Sequence, residues 1–282
     1  MSPTRKVLIT GCSDGGLGAA LAIAFHEAGL EVYATSRDLS KMSDVASQGI
    51  RTLQLDVKSG ESIAECLSNI PDLDILVNNA GAGYAMPVSD LSIPDAKKLF
   101  DLNVWSYLAV TQAFLPLLLK SKGMIVNNTS VASLCTVPFQ SAYNASKAAM
   151  AAFSDAERLE LKPFGIRVVE LKTGVVESNI QKNQRKQNAV SLPEGSIYED
   201  AKEIVERTIR GNIFEGDGMP AQEWAKAVVS DLLKSNTPTI WRGTKAWLVR
   251  IGSMLPFGAL DGTARSLTGL DEVERLVQNP DL

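Results

Sequence analysis

Short apolar runs and longer amphipathic stretches alternate along the first two thirds of the chain. Val7-Leu8-Ile9-Thr10 is a brief apolar run followed by glycine, the pattern of a buried strand. Residues 17–28 then carry apolar side chains at helical spacing and stop at Gly29. The alternation repeats: a strand at Glu31–Ser36, a polar helix ending near Gln48-Gly49, a strand over 51–55, a helix after Ser59, and a strand over 74–78. A long helix over 94–119, a strand over 123–127, a helix over 141–162 and a strand over 166–172 complete the series. Strands alternating with helices predict parallel βαβ units and a sheet covered on both faces. Six such strands in sequence predict an α/β fold with a doubly wound parallel sheet.

After Thr173 the rhythm breaks. Residues 174–200 are polar and rich in Gln, Asn and Lys. Helices are expected over 198–214 and 221–235, a seventh strand at Thr239-Ile240-Trp241, and a helical tail over 243–282. No linker or internal repeat interrupts the chain. A single domain over 1–282 is therefore expected, with a core over about 5–180 and a C-terminal extension over about 174–282.

Composition narrows the function classes. The 282 residues are 45% hydrophobic and 21% charged, enough for a large core and against disorder. The net charge of −4 lacks the basic footprint of a nucleic-acid binder. Cys12, Cys66 and Cys135 form no C-x-x-C pair, which points to free thiols in a reducing compartment. A single histidine, His26, excludes a multi-histidine metal site; it lies in an apolar helix and reads as structural. Residues 1–6 lead straight into an apolar strand without a signal-peptide pattern, and the most apolar helical stretch, 107–119, is too short to span a bilayer. A soluble, cytoplasmic protein is expected.

The first strand runs into Thr10-Gly11-Cys12-Ser13-Asp14-Gly15-Gly16-Leu17-Gly18, where a helix begins. Glycines permit positive φ and close backbone approach, and a helix N-terminus offers free N–H groups to a pyrophosphate. A glycine-rich turn without a ligand is the plainer alternative. The second strand ends Thr35-Ser36-Arg37. An acid at that point would hydrogen-bond a ribose 2′-hydroxyl; Ser36 and Arg37 suit a 2′-phosphate, and Asp38 comes a residue or two late. This favours NADP(H) over NAD(H), the alternative being that Arg37 is a solvated loop charge. Tyr143 and Lys147 sit four apart on a helix and share a face. A phenol with a pKa near 10 is a weak acid–base group at neutral pH, and an adjacent ammonium stabilises its phenolate. Ser130 follows the fifth strand, at the sheet edge where ligands bind in open α/β sheets.

Together the glycine loop, Asn78-Asn79-Ala80-Gly81, the helical Asn103, Ser130 and Tyr143-x-x-x-Lys147 resemble, in order, the motifs of the short-chain dehydrogenase/reductase family. The resemblance covers residues 5–180 and implies a Rossmann fold. It also implies roles. Tyr143 would be the general acid in reduction, Lys147 would lower its pKa and hold the nicotinamide ribose, Ser130 would orient the carbonyl, and Asn103 would anchor a water in a proton relay. The loop's spacing is that of the family's T-G-x-x-x-G-x-G with one extra residue, so Gly11, Gly16 and Gly18 align with the family glycines, with Ser13, Asp14 and Leu17 between them as cofactor contacts. Asp56 and Val57 would meet the adenine, and Asn78, Ala80 and Gly81 its ribose. Val176 and Ser178 would reach the nicotinamide carboxamide and the pyrophosphate region. Where the family carries Pro-Gly after the sixth strand, this chain has Thr173-Gly174.

The substrate side is less legible. In the family the segment after the sixth strand is a lid; here that is 179–197, whose Lys182-Asn183-Gln184-Arg185-Lys186 run suits either an anionic head group or a solvated surface. Tyr84, Met86 and Phe139 are candidate pocket walls or core residues. The C-terminal part resembles a fungal branch of the family that includes 1-acyldihydroxyacetone-phosphate reductases. An NADPH-dependent reductase of a hydrophobic ketone is expected, possible substrates being an acyl-dihydroxyacetone phosphate or a secondary-metabolite intermediate. An NADP-dependent alcohol or hydroxysteroid dehydrogenase, a non-turnover sensor and a cyclising scaffold are the rivals. A homo-dimer or homo-tetramer is expected through the helices over 94–119 and 141–162. Residues 246–251 read as a core or subunit contact, or as an amphipathic anchor to a membrane or lipid droplet.

Overall fold

Val7, Leu8 and Ile9 are all fully buried, because the strand they form, β1 (Lys6–Ile9), lies inside the sheet. The computed structural model describes residues 4–179, 191–211, 216–256 and 258–278. The other strands are β2 (Glu31–Ser36), β3 (Arg51–Gln54), β4 (Ile75–Asn78), β5 (Met124–Asn128), β6 (Arg167–Thr173) and β7 (Thr239–Arg242). Their order across the sheet is β3-β2-β1-β4-β5-β6-β7, and every pairing is parallel. The chain winds outward in one direction from β1 to β3, then in the other from β4 to β7. The reversal between β1 and β4 opens a crevice at the strands' C-terminal ends.

Alternation along each strand feeds two apolar layers. On one face Val7, Ile9, Val32, Ala34, Val77, Val126 and Leu171 pack under α1 (Leu17–Glu27) and the later helix Ala221–Lys234. On the other, Leu8, Tyr33, Leu76, Ile125 and Val168 meet Ile63, Cys66, Val110, Phe114 and Leu118 of the covering helices. Strands buried on both faces read as continuous apolar runs, which is why β1 and β4 were visible in the sequence. The polar helix expected before Gln48 is shorter: a 3-10 turn at Leu39–Lys41, then α2 (Ser43–Ser47). Next comes α3 (Gly60–Ser68), with Ser59 accepting the Ser62 N–H as its N-cap at 3.3 Å.

The long helix expected over 94–119 is α4 (Ile93–Phe100) and α5 (Ser106–Ser121), joined by a π turn at Asp101–Trp105. The continuous run Ile93–Ser121 is, by length and composition alone, long and apolar enough to cross a membrane. The stretch read as too short is thus part of a longer one. Here it covers the sheet, with Tyr107, Val110, Phe114 and Leu118 buried. The other sheet-side helix is α6 (Ser141–Leu161).

Beyond β6 lie α7 (Lys202–Ile209), α8 (Ala221–Lys234), α9 (Ala246–Gly252), α10 (Asp261–Thr268) and α11 (Leu270–Gln278). A third small core joins Ala85 and Phe139, from the loops after β4 and β5, to Leu192, Ile204, Val205 and Val273. The helix expected over 198–214 begins as a 3-10 turn at Glu199–Ala201 and ends as α7 at Ile209. In α9 only Ala246 is buried; Trp247, Leu248 and Ile251 are exposed, so they are not core residues. His26 is exposed in the last turn of α1, where a basic side chain suits the helix dipole.

Candidate active site

The glycine loop has a shape that side chains would destroy. Gly11 has φ +75°, and a Cβ there would lie 2.8 Å from the Ala80 Cα. A Cβ on Gly18 would lie 2.4 Å from the Gly11 carbonyl oxygen and 2.6 Å from Asn79 Nδ2. These approaches bring the start of α1 against the end of β4. Gly16 is the N-cap of α1; no side chain caps the helix, and its first turn holds no acidic residue. The first-turn N–H groups of an uncapped helix suit an anion. A dinucleotide pyrophosphate therefore fits this loop.

Asp14 is bonded to the start of α2. Its backbone N–H donates to the Lys41 carbonyl at 2.7 Å, and its carboxylate accepts from Ser43 Oγ at 2.9 Å and the Asp44 N–H at 3.2 Å. It ties the loop to the start of α2. Ser13 Oγ lies 3.0 Å from Ser36 Oγ, which joins the loop to the end of β2. Arg37 is exposed just beyond. The Asp38 carboxylate accepts from the Ser40 N–H at 3.0 Å and Ser40 Oγ at 2.6 Å, and those bonds hold it below the usual carboxylate range. At the end of β3 the Asp56 N–H donates to Ser62 Oγ at 2.9 Å, and Val57 is buried.

Asn78 is turned into the sheet. Its Nδ2 donates to Thr111 Oγ1 at 3.0 Å and to Asn127 Oδ1 at 2.9 Å, between β4, β5 and α5. Its neighbour Asn79 faces the crevice instead: Nδ2 donates to the Thr10 carbonyl at 2.8 Å, and the Asn79 and Ala80 N–H groups both reach Thr10 Oγ1. Strand alternation sends the two asparagines to opposite sides. Gly81 lies between Asn103 and Lys147: a Cβ there would be 3.1 Å from Asn103 Oδ1 and 3.8 Å from Lys147 Nζ.

Ser130, Tyr143 and Lys147 come together at the C-terminal end of β5. Ser130 is buried, accepts the Ala132 N–H at 3.1 Å, and is near enough to Tyr143 to act on its phenol. Lys147 Nζ donates to the Asn128 carbonyl at 2.9 Å and lies 6.0 Å from the Tyr143 ring centre and 5.7 Å from that of Tyr107. Burial pushes the Tyr143 phenol up from its ordinary value, and the neighbouring Ser130 hydroxyl opposes this. Burial also pulls the Lys147 ammonium down from 10.5 to about 8. The direction at Tyr143 is opposite to the lowering that the family role implies, because burial disfavours the phenolate more than Ser130 favours it. Asn103 sits in the π turn, fully buried. Its Oδ1 accepts the Ala82 N–H at 3.0 Å, and its Nδ2 donates to the Ala82 carbonyl at 3.0 Å and to Ser146 Oγ at 3.1 Å. It fixes the loop after β4 against α6.

Val176 is buried and bridges to Met219; Ser178 is half-buried beside it. The next residue, Asn179, donates from Nδ2 to the Asp14 carbonyl at 2.8 Å and clamps the glycine loop. The separation of 165 residues between them hid that contact from sequence reasoning. Most of the expected lid, residues 180–190 with the basic run at 182–186, lies outside the described residues. Its last part docks: Ser196 Oγ donates to Asp90 Oδ2 at 2.8 Å, and the Leu192 N–H to Glu206 Oε1 at 3.1 Å. Phe139 stacks edge-on against Tyr198 and belongs to the third core with Met86, while the Tyr84 hydroxyl accepts the Ser92 N–H.

A parallel doubly wound sheet with a glycine loop at its switch point, and a serine, tyrosine and lysine converging beside it, defines a nucleotide-binding oxidoreductase. The family model for short chain dehydrogenases matches residues 5–189, and the chain belongs to that family. It is 54% identical over 279 residues, 99% of both chains, to a short-chain dehydrogenase/reductase of Pestalotiopsis microspora. It is 36% identical, over 96% of both chains, to the NADPH-dependent 1-acyldihydroxyacetone phosphate reductase of Schizosaccharomyces pombe. Among solved structures, a short chain dehydrogenase from Burkholderia cenocepacia in complex with NADP is similar, with a TM-score of 0.74 and 25% identity over 93% of this chain and 97% of that one.

Proposed function

We propose that this protein is an NADPH-dependent reductase of a hydrophobic ketone. The observation that carries the reading is the convergence of Ser130, Tyr143 and Lys147 at the crevice edge of β5. NADPH, when bound, supplies the hydride. The uncapped start of α1 holds the pyrophosphate, and Arg37, with Ser36 beside it, neutralises the 2′-phosphate. The Ser130 hydroxyl donates to the substrate carbonyl oxygen and stabilises charge developing there. Tyr143 gives that oxygen its proton as general acid. The Lys147 ammonium, anchored on the Asn128 carbonyl, stabilises the phenolate left behind. Asn103 holds the loop and helix that frame this relay. The similarity to the Schizosaccharomyces pombe reductase supports an acyl-dihydroxyacetone phosphate as substrate class, with ketone intermediates of secondary metabolism as the second class to test. The exposed Trp105, stacked edge-on against Phe153 of α6, and the exposed Leu159 on the same helix support a homo-oligomer built on α5 and α6.

The test is loss of NADPH absorbance against a ketone panel containing an acyl-dihydroxyacetone phosphate and aromatic polycyclic ketones, with Tyr143→Phe alongside. Turnover by the wild type and a loss of at least about a hundredfold in the variant is the expected result. Equal turnover by both proteins would remove Tyr143 from the relay. NADPH binding with no turnover across the panel would favour the sensor reading.

A further inference from the structure

The sixth strand ends in Thr173, where the family resemblance led to a proline. Thr173 is buried, and its Oγ1 donates to the Oδ1 of Asn128, also buried, at 2.6 Å. Asn128 Nδ2 donates to Asn79 Oδ1 at 2.9 Å. Asn79 Nδ2 in turn donates to the carbonyls of Thr10 and Gly11, at 2.8 and 3.3 Å. The chain of bonds crosses the C-terminal ends of β6, β5, β4 and β1 and finishes on the backbone of the glycine loop.

Its direction is set by chemistry. Two backbone carbonyls can only accept, so Asn79 must present its amide nitrogen to them and its oxygen to Asn128. Asn128 must then give its nitrogen to Asn79, which leaves its oxygen buried and in need of a donor. Thr173 supplies that donor. A proline has no hydroxyl and would leave the Asn128 oxygen without it. An unpaired buried acceptor is costly, and the carboxamide would gain a reason to rotate away from Asn79.

We propose that Thr173 is a positioning residue for the cofactor loop: through Asn128 and Asn79 its hydroxyl holds the Thr10 and Gly11 carbonyls in the geometry that binds the dinucleotide. This rests on the reading of that loop as the NADPH pyrophosphate site. Gly18 packs its Cα against Asn79 Nδ2 so closely that a Cβ would sit 2.6 Å away, so a shift of Asn79 is felt at the first turn of α1.

The test is the NADPH dissociation constant, read by quenching of protein fluorescence without any ketone, in wild type, Thr173→Val, Thr173→Ser and Asn79→Ala. Thr173→Val keeps the side-chain volume and removes the donor; about tenfold weaker binding is expected. Thr173→Ser restores the donor and should bind as the wild type does. The valine substitution should add little in the Asn79→Ala background, because the same chain is already cut. If Thr173→Val does not fold, Thr173→Ala carries the same comparison. Unchanged NADPH affinity in a folded Thr173→Val protein overturns the inference and leaves the cofactor reading intact, even if thermal stability drops. A full, additive loss in the Asn79→Ala background overturns it as well. A wild type that binds no NADPH overturns the cofactor reading and this inference together.

Discussion

Lys147 Nζ donates to the backbone carbonyl of Asn128 at 2.9 Å, and among the described residues no carboxylate contributes to holding its charge. The ammonium is buried against the Tyr107 and Tyr143 rings. Such a site favours the neutral amine, which is why its pKa falls from 10.5 to about 8. The unfolded chain therefore binds more protons than the folded one between those two values, and stability rises with pH across that window. Lys147→Met should melt higher than the wild type at pH 7, by about 2 °C or more, because the Asn128 carbonyl keeps the Tyr107 hydroxyl as a donor. The gap should narrow as pH climbs from 8 to 10.5. Calorimetry at both ends checks this, and an unchanged or lower melting point at pH 7 would refute it. The same variant should lose reductase activity.

Activity should follow the opposite slope. Reduction needs Tyr143 protonated and Lys147 charged. Burial raises the first group and lowers the second to about 8, so Lys147 discharges first. kcat/KM for ketone reduction should be flat at neutral pH and fall above about pH 8. A profile that rises through pH 8 would contradict this order of titration.

Cofactor choice should sit on Arg37. Asp38 is the acid closest to the end of β2, but its carboxylate is engaged by Ser40. Arg37 is left as the exposed charge beside Ser36. Arg37→Ala should weaken NADPH binding about tenfold and leave NADH binding nearly unchanged. An equal loss for both cofactors would show that Arg37 does not meet the 2′-phosphate.

Glu157 on α6 reports on a second polar layer. Burial raises its carboxyl from 4.5 to about 7, although Asn127 Nδ2 donates to it at 2.8 Å. The folded protein thus binds a proton here that the unfolded chain releases near 4.5. The stabilisation is complete below that value and is lost as pH rises through about 7. Glu157→Gln should melt above the wild type at pH 8 by about 2 °C, and the difference should vanish near pH 4.5. An equal difference at both pH values would refute the titration.

How far the sequence reaches is clear from individual residues. The strand Glu31–Ser36 was legible to the residue, because its buried run Val32-Tyr33-Ala34 is flanked by the polar residues Glu31, Thr35 and Ser36. The spacing of Tyr143 and Lys147 placed them on one helical face, and Ser130 joined them because strand ends face the crevice. The break in the long helix at Asp101–Trp105 was not legible, since a single turn of i→i+5 bonding is too short to leave a period of its own in the sequence.

The backbone plan and the chemistry of the relay were therefore determined by local pattern: periodicity, glycine placement and helical spacing act within a few residues. Which asparagine serves the loop was decided by tertiary structure. Asn78 and Asn79 look alike in the chain, and the pleat of β4 sends one to Thr111 and the other to Thr10. Likewise Thr173, Asn128 and Asn179 acquire their parts only when strands and loops far apart in sequence meet at one sheet edge. A hydrogen bond depends on distance and angle in space, and the one-dimensional order of residues does not contain either.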